Sequence, residues 1–289
     1  MSNNEYQTKN DLKLIREMMG LSQQEFAKEL GVSGVTLSRW ETGETGISPD
    51  NLEKLYSFAF AEGMELNRIK EQFYKEENQS GRTLLFHGAK KSIEGPVRID
   101  RARANNDFGQ AFYMGESFRQ AALFISNFPE SSVYILSFDT KGLVHTEYRV
   151  GREWLLTVSA FRGRLKDRFS EETLARIMAP VLQADYVIAP VADNRMYQII
   201  DAFAEGEITD EQCVHALAAT DLGMQYVACS RKAAGKVRIL ERCYLCKDEK
   251  KRFVTDRGGD LKTSESKVRA ARIKYRGKGK YIDELISEI

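Results

Sequence analysis

The 289-residue sequence predicts a multidomain chain, an all-α bundle followed by an α+β domain. Three observations predict it. Residues 11–60 place apolar side chains at helical spacing between capping residues. Residues 76–81, EENQSG, turn polar and set a boundary near residue 80. From Thr83 onward, short strand-like and helix-like runs mingle without regular β-α alternation or a glycine-rich phosphate loop, which argues against a doubly wound sheet. The predicted division is 1–63 for the bundle, 64–82 for a helical and polar linker, 83–245 for the second domain and 246–289 for a basic C-terminal extension.

In the first region, DLKLIREMM sets Leu12, Ile15 and Met19 on one face, and Gly20 closes that helix. Ser22-Gln-Gln-Glu25 has the form of a capping box, in which hydroxyl and carboxylate satisfy each other's backbone amide. Phe26, Ala27 and Leu30 form the buried face of the second helix, and Gly31 ends it in a left-handed cap. Val32-Ser-Gly34 makes a tight turn into a third helix, VTLSRWE, with Val35 and Trp40 expected in the core. Ser48-Pro49 opens a fourth helix, whose apolar face is Leu52, Leu55 and Phe58 or Ala59. Two short helices around such a turn suggest a helix-turn-helix.

The stretch LSQQEFAKELGVSGVTLSRWETGETGIS resembles the Cro/phage-repressor-like family of helix-turn-helix modules. Ser22, Gln23, Phe26, Ala27, Gly31, Val32, Leu37, Trp40, Glu41 and Gly43 carry the resemblance. It implies DNA as a partner: Gln23 on a phosphate, Thr36, Ser38 and Arg39 facing the major groove, and Ser33 near its edge. It also suggests a homodimer, since such modules commonly pair. Charge works against DNA here. Residues 1–80 hold nine Lys/Arg against fourteen Asp/Glu, a net of −5, so counterion release gives the module little affinity. Residues 247–289 hold thirteen against eight, a net of +5, and SKVRAARIKYRGKGK (266–280) has seven basic residues and no acid, a block that suits phosphates or an acidic partner. The competing reading of the bundle is a protein-binding or dimerisation module.

No run approaches the ~20 apolar residues of a membrane span, and the N-terminus lacks the apolar core of a secretory signal, so a cytoplasmic protein without a membrane partner is expected. Four cysteines suggest no disulfide framework in a chain of this size. Cys243 and Cys246 form one CxxC, but no second CxxC or HxxxH completes a zinc site, and no metal is expected.

In the second region LLFH, QAFYM, SSVYILSFD, ADYVIAPVADN and GMQYVACS read as strands. FRQAALFISNF, EETLARIMA, MYQIIDAFAEG and TDEQCVHALAAT read as helices, and SRKAAGKVRIL as a turn or helix. Three pieces then occur in order: His87-Gly88 at the end of the first strand, Asp107-Phe-Gly109 leading to Phe112-Tyr113, and Gln225-Tyr-Val opening a late strand. This order resembles the ADP-ribosyltransferase fold in its diphtheria-toxin/poly(ADP-ribose) polymerase branch. A bacterial family of unknown function in that superfamily is more similar still, through DFGxGFY, the Trp-Leu pair at Trp154-Leu155, and DYVIxPVADxR at Asp185–Arg195.

The resemblance implies an α+β split-sheet domain that binds NAD as a substrate, with His87, Tyr113 and Gln225 as catalytic positions. Gly88 would let the backbone pair with the nicotinamide carboxamide, and His87 would donate to an adenosine-ribose hydroxyl. Tyr113 would face one side of the nicotinamide ring and Phe124 the other. Arg98, Arg101 and Arg103 are candidate pyrophosphate partners, and Asp107, Gly109 and Asp193 complete the cofactor-binding set. Taken singly, each of these residues also reads as core, turn or solvated surface.

One departure matters. Related enzymes place glutamate where this chain has Gln225. An amide holds a ribose hydroxyl but carries no negative charge to face an oxocarbenium ion, a loss of about 2–4 kcal/mol, or ~10²–10³ in rate. The expected activities are mono-ADP-ribosyl transfer to a nucleic-acid or protein acceptor, as in a toxin or defence effector, or slow NAD hydrolysis. Asp107, Asp193 and Glu153 are candidate assisting acids. The alternative is a transcriptional regulator that binds NAD or a related nucleotide in an inactive pocket.

Overall fold

The computed structural model describes residues 5–78, 81–192, 194–219, 223–286 and 288. In chain order the elements are α1 (Thr8–Met18), α2 (Gln23–Leu30), α3 (Gly34–Thr42), α4 (Pro49–Ala61), α5 (Leu66–Glu76), β1 (Arg82–Ala89), β2 (Phe112–Gly115), α6 (Phe118–Ile125), β3 (Ser132–Asp139) and β4 (His145–Glu147). There follow α7 (Arg152–Phe161), α8 (Glu171–Leu182), β5 (Tyr186–Pro190), α9 (Asn194–Ala204), α10 (Asp210–Ala218), β6 (Met224–Ala228), α11 (Arg231–Ala234), β7 (Val237–Cys243), α12 (Lys247–Lys274) and α13 (Ile282–Ile286). The strands form one seven-stranded mixed sheet in the order β4-β5-β6-β2-β1-β3-β7. The chain divides into two compact units. One comprises Met1–Gly95, Ser117–Phe138 and Arg238–Asp256; the other comprises Pro96–Glu116, Asp139–Val237 and Arg257–Ile289.

In the first unit, local chemistry sets the helix ends. The Ser22 amide donates to Glu25 Oε2 at 2.8 Å and the Glu25 amide donates to Ser22 Oγ at 3.3 Å, which completes the capping box. Gly31 and Gly43 end α2 and α3 at φ of 67° and 77°. Ser48 caps α4 with Pro49 in its first turn. Leu12, Ile15, Phe26, Leu30, Leu37, Trp40, Leu55 and Ala59 build the core. Val35, expected inside, is 63% exposed. At about 100° per residue it lies some 200° from Leu37, on the opposite side of α3.

Residues 64–82, expected as a linker, contain α5, whose Leu66, Asn67 and Lys70 are buried. Lys70 Nζ reaches Asp11 Oδ1 of α1 at 2.6 Å and Glu241 Oε1 of β7 at 2.5 Å. Tyr56 Oη donates to Asp11 Oδ2 at 2.5 Å, and Tyr74 Oη donates to Glu241 Oε2 at 3.0 Å. The helix-turn-helix is thus tied to a strand of its own unit through buried polar bonds.

Glu249, in the first turn of α12, is buried, and Asn67 Nδ2 donates to both of its oxygens at 3.1 and 3.0 Å. Burial pushes its carboxyl from 4.5 up to about 7, against the pull of Asn67 and Arg252. Such a group holds a proton in the folded state that the unfolded chain has released. Its contribution is therefore intact below the unfolded value and is lost as pH rises through about 7, a change of ~3 kcal/mol. Asn67 Oδ1 is buried without a partner, which leaves an acceptor for a neutral group at position 249. Glu249→Gln is expected to abolish this pH dependence and to be more stable than wild type by ~2–3 kcal/mol near pH 8. Urea unfolding near pH 5 and pH 8 measures it; equal slopes in both proteins would refute it.

In the second unit, β2 and β5 run antiparallel to β6 on either side, with Gly115 and Ala189 opposite Gln225, and β4 runs parallel to β5. Side chains alternate across a strand, so Tyr113, Val187, Ala189, Gln225 and Val227 share one face. Tyr113, Val187, Ala189 and Val227 on that face join Trp154, Leu155, Ile200, Phe203, Ala216 and Leu217 of α7, α9 and α10 in the main core. SRKAAGKVRIL, read as a turn or helix, forms the short α11 and then β7, because the basic residues obscured the alternation of Val237 and Ile239. Cys243 and Cys246 are buried free thiols. Among the described residues, no group of three or more His, Cys, Asp or Glu could hold a metal ion.

Candidate functional site

Asp107 is the hub of a buried cluster in the second unit. Arg162 donates from Nε at 3.0 Å and from Nη2 to Asp107 Oδ1, and Gln225 donates from Nε2 to Oδ2 at 3.1 Å. The backbone N–H of Ala192 adds a third donor. Burial raises the Asp107 carboxyl above its ordinary range, with Arg162 and these donors pulling the other way. Arg162 caps the C-terminus of α7, where the helix dipole favours a cation, and its guanidinium lies 3.1 Å from the ring centre of Tyr197. No sequence signal marks Arg162: it lies 55 residues from Asp107 and no motif contains it.

Gln225 also donates from Nε2 to Pro190 O at 3.1 Å. Both of its amide hydrogens are therefore directed into the protein, and what the side chain can offer a ligand is Oε1, an acceptor. The stretch Asp107–Tyr113 owes its composition to this arrangement. Phe108 stacks on Tyr148 with ring centres 5.8 Å apart. Gly109 takes φ of 75°, and a Cβ there would lie 3.2 Å from Phe161. Tyr113 Oη accepts from the Phe108 amide at 3.1 Å and donates to Gly109 O at 2.8 Å, clasping the turn that carries Asp107. Burial holds the Tyr113 phenol well above its usual range. Its hydroxyl is occupied, and its ring packs against the core of the second unit.

The other positions fall in several places. Arg98 pairs with Asp100 at 2.5 Å and is exposed. Arg101 and Arg103 are exposed in the same loop, which Gln110 braces by donating to Asp100 O and Ala102 O at 3.1 and 3.0 Å. Glu153 is exposed in the first turn of α7, outside the cluster formed by Asp107. Asp193 lies outside the described residues. His87, Gly88 and Phe124 belong to the first unit. His87 is half-buried on β1, and Phe124 is 43% exposed on α6. A Cβ on Gly88 would lie 2.5 Å from Ala121 O and 2.9 Å from Ile125, so the close approach of α6 is enough to require glycine there.

In the helix-turn-helix, Glu41 accepts from Arg16 Nε and Gln23 Nε2, both at 2.7 Å, and joins α1, α2 and α3. This fixes Gln23 at the N-terminus of α2 with its second amide hydrogen left for a phosphate. Ser33 caps α3, and its hydroxyl meets Thr36 Oγ1 at 2.8 Å. Ser38 is half-exposed, Arg39 is exposed, and Val35 presents an isopropyl group suited to a thymine methyl. Arg39 is drawn aside by Glu44, 3.5 Å away and itself exposed. Glu44→Gln should free the guanidinium and remove a charge that repels phosphate, raising DNA affinity about two- to fivefold at low salt. A titration of duplex DNA by fluorescence anisotropy measures this; unchanged or weaker binding would count against α3 as the DNA-facing helix.

No solved structure and no curated protein matches the chain. Residues 12–56 match a helix-turn-helix family, which gives the chain a DNA-binding module. Residues 83–239, just over half of the chain and including the Asp107–Gln225 cluster, match a second family, and by that match the chain belongs to the family described as a protein of unknown function (DUF3990).

Proposed function

We propose that the second region is an NAD-dependent mono-ADP-ribosyltransferase, fused to a DNA-binding helix-turn-helix and acting on a nucleic-acid or protein acceptor. The observation that carries this reading is Gln225. Its two amide hydrogens are held by Asp107 and Pro190, so Oε1, an acceptor, is what this buried side chain keeps for a ligand near the head of β6. An acceptor is what a ribose 2′-hydroxyl needs, and the carboxylate behind the amide polarises it. The bond from ribose C1′ to the nicotinamide nitrogen breaks, C1′ bonds to the acceptor, neutral nicotinamide leaves, and the acceptor's proton passes to solvent. Tyr113 enters the proposal as the nicotinamide-facing ring through the sequence resemblance. His87 and Gly88 enter the proposal through the sequence resemblance alone.

The test incubates the purified chain with labelled NAD and cell extract, then treats the product with nuclease or protease. Label transfer or nicotinamide release that falls in Gln225→Ala is the expected result; equal null signals from wild type and variant would overturn it. A second reading has its own support, since no carboxylate stands at position 225: the region binds NAD without turnover and adjusts DNA binding. Calorimetric binding of NAD with no product, together with a shift in DNA affinity, would favour it.

A further inference from the structure

We infer that the C-terminal part of α12, with the turn that follows it, is a second nucleic-acid surface that grips the phosphates of duplex DNA. The inward face of this part is defined by contact: Val268 and Ala271 pack on the second unit's core, and Tyr275 stacks on His215 with ring centres 3.6 Å apart. At about 100° per residue, Lys267 and Lys274 then form a row on one side of an outer ridge of Ala270 and Ile273, and Arg269 lies on the other side; Arg276 follows in the turn after α12, its amide donating to Ile273 O at 3.3 Å. All four cations are exposed, and Ile273 is 68% exposed.

The segment is held in place. Gln212 Nε2 donates to Arg272 O at 2.8 Å, the Lys280 amide donates to Asp210 Oδ1 at 2.7 Å, and Thr209 Oγ1 donates to Lys278 O. The acids that follow are engaged elsewhere: Asp283 with Arg168, Glu288 with Lys280, and Glu284 with the Tyr281 amide. Among the described residues none of the four cations is in an ion pair with an acid.

Cations on both sides of a narrow ridge fit a duplex. The Lys267–Lys274 row spans about 10 Å of helix axis, and over that length B-DNA presents about six phosphates. A helix fits the major groove with its flanks toward the two backbones, and the ridge carries nothing that a base edge would reject. A membrane surface is a poorer fit, because the outer face has a single large apolar residue where an interfacial helix needs a broad apolar face. The surface also supplies the counterion release that a module of net charge −5 lacks.

The test measures binding of the full chain to a long random-sequence duplex by anisotropy across a salt series. The quadruple variant Lys267→Gln, Arg269→Gln, Lys274→Gln, Arg276→Gln is expected to lower the slope of log K against log salt by about 3–4, and Arg39→Gln by about one. Lys267→Arg with Lys274→Arg should leave the slope unchanged. Circular dichroism and thermal melting check that the variants fold as wild type, as expected for exposed positions. A quadruple variant with the wild-type slope overturns the inference. So does capture of wild type, but not the variant, on phosphatidylserine vesicles with DNA binding unchanged.

Discussion

Lys70→Met is expected to cost about 3–5 kcal/mol of stability, because it leaves two buried carboxylates without their cation. Burial alone pulls the Lys70 pKa down; Asp11, Cys243 and Glu241 outweigh it, so the net direction is upward. A lysine raised in this way contributes fully below its unfolded value near 10.5, and the contribution is lost only as pH rises through the higher folded value. The loss in Lys70→Met should therefore be nearly constant from about pH 6 to 9. Met matches the length of the stem, so little of the effect is cavity. Adding Asp11→Asn should recover part of it by removing one uncompensated charge, though Tyr56 then loses its charged acceptor. Urea unfolding of wild type, both single variants and the double gives the coupling between positions 11 and 70. A Lys70→Met loss under about 1 kcal/mol would show that the ammonium is not the buried partner of these acids. The consequence reaches function: α1 and α5 carry the helix-turn-helix, and β7 belongs to the sheet of the same unit. A chain cut near residue 80 would remove Asp11 and Lys70 together and strand Glu241.

The sequence made local features legible, because their causes are local. Ser22 and Glu25 cap each other across three residues, Ser48 and Pro49 start α4, and Gly31 and Gly43 stop helices at positive φ. The strands around Leu85, Val133, Val187 and Val227 were visible as apolar runs bounded by turns. Val35 reads as core by residue type, but its helical phase sets it opposite Leu37 and Trp40, which share the inner face. What escaped entirely were polar contacts between distant positions. Asp11 and Lys70 are 59 residues apart, Tyr74 and Glu241 are 167 apart, and Asp107 and Gln225 are 118 apart, and nothing in the intervening sequence marks any of these pairs. The order His87, Tyr113, Gln225 is legible in the sequence as a family resemblance. The reason for an amide at position 225 depended on the acid that faces it, which only the fold reveals.

That acid makes the obvious repair fail. Gln225→Glu by itself is expected to destabilise the chain by about 1–3 kcal/mol near pH 8 rather than to restore a catalytic carboxylate. The new carboxylate would stand where Nε2 now donates, about 3 Å from Asp107 Oδ2 and from Pro190 O, so two acceptors would lose their donor. Like charges at that separation share a proton, which raises the folded-state pKa of the pair. The variant should therefore be nearest to wild type near pH 5 and fall behind as pH rises, the sign opposite to that of a salt-bridged acid. Combining Gln225→Glu with Asp107→Asn exchanges the partners. One carboxylate, one guanidinium from Arg162 and one donating amide remain, and most of the stability should return. If the transferase reading holds, the double variant also faces the ribose with a charge, and label transfer should rise by ~10²–10³. A double variant that is stable, binds NAD and transfers no faster would leave the regulatory reading in place. A single variant as stable as wild type near pH 8 would instead remove the Asp107–Gln225 contact on which both readings depend.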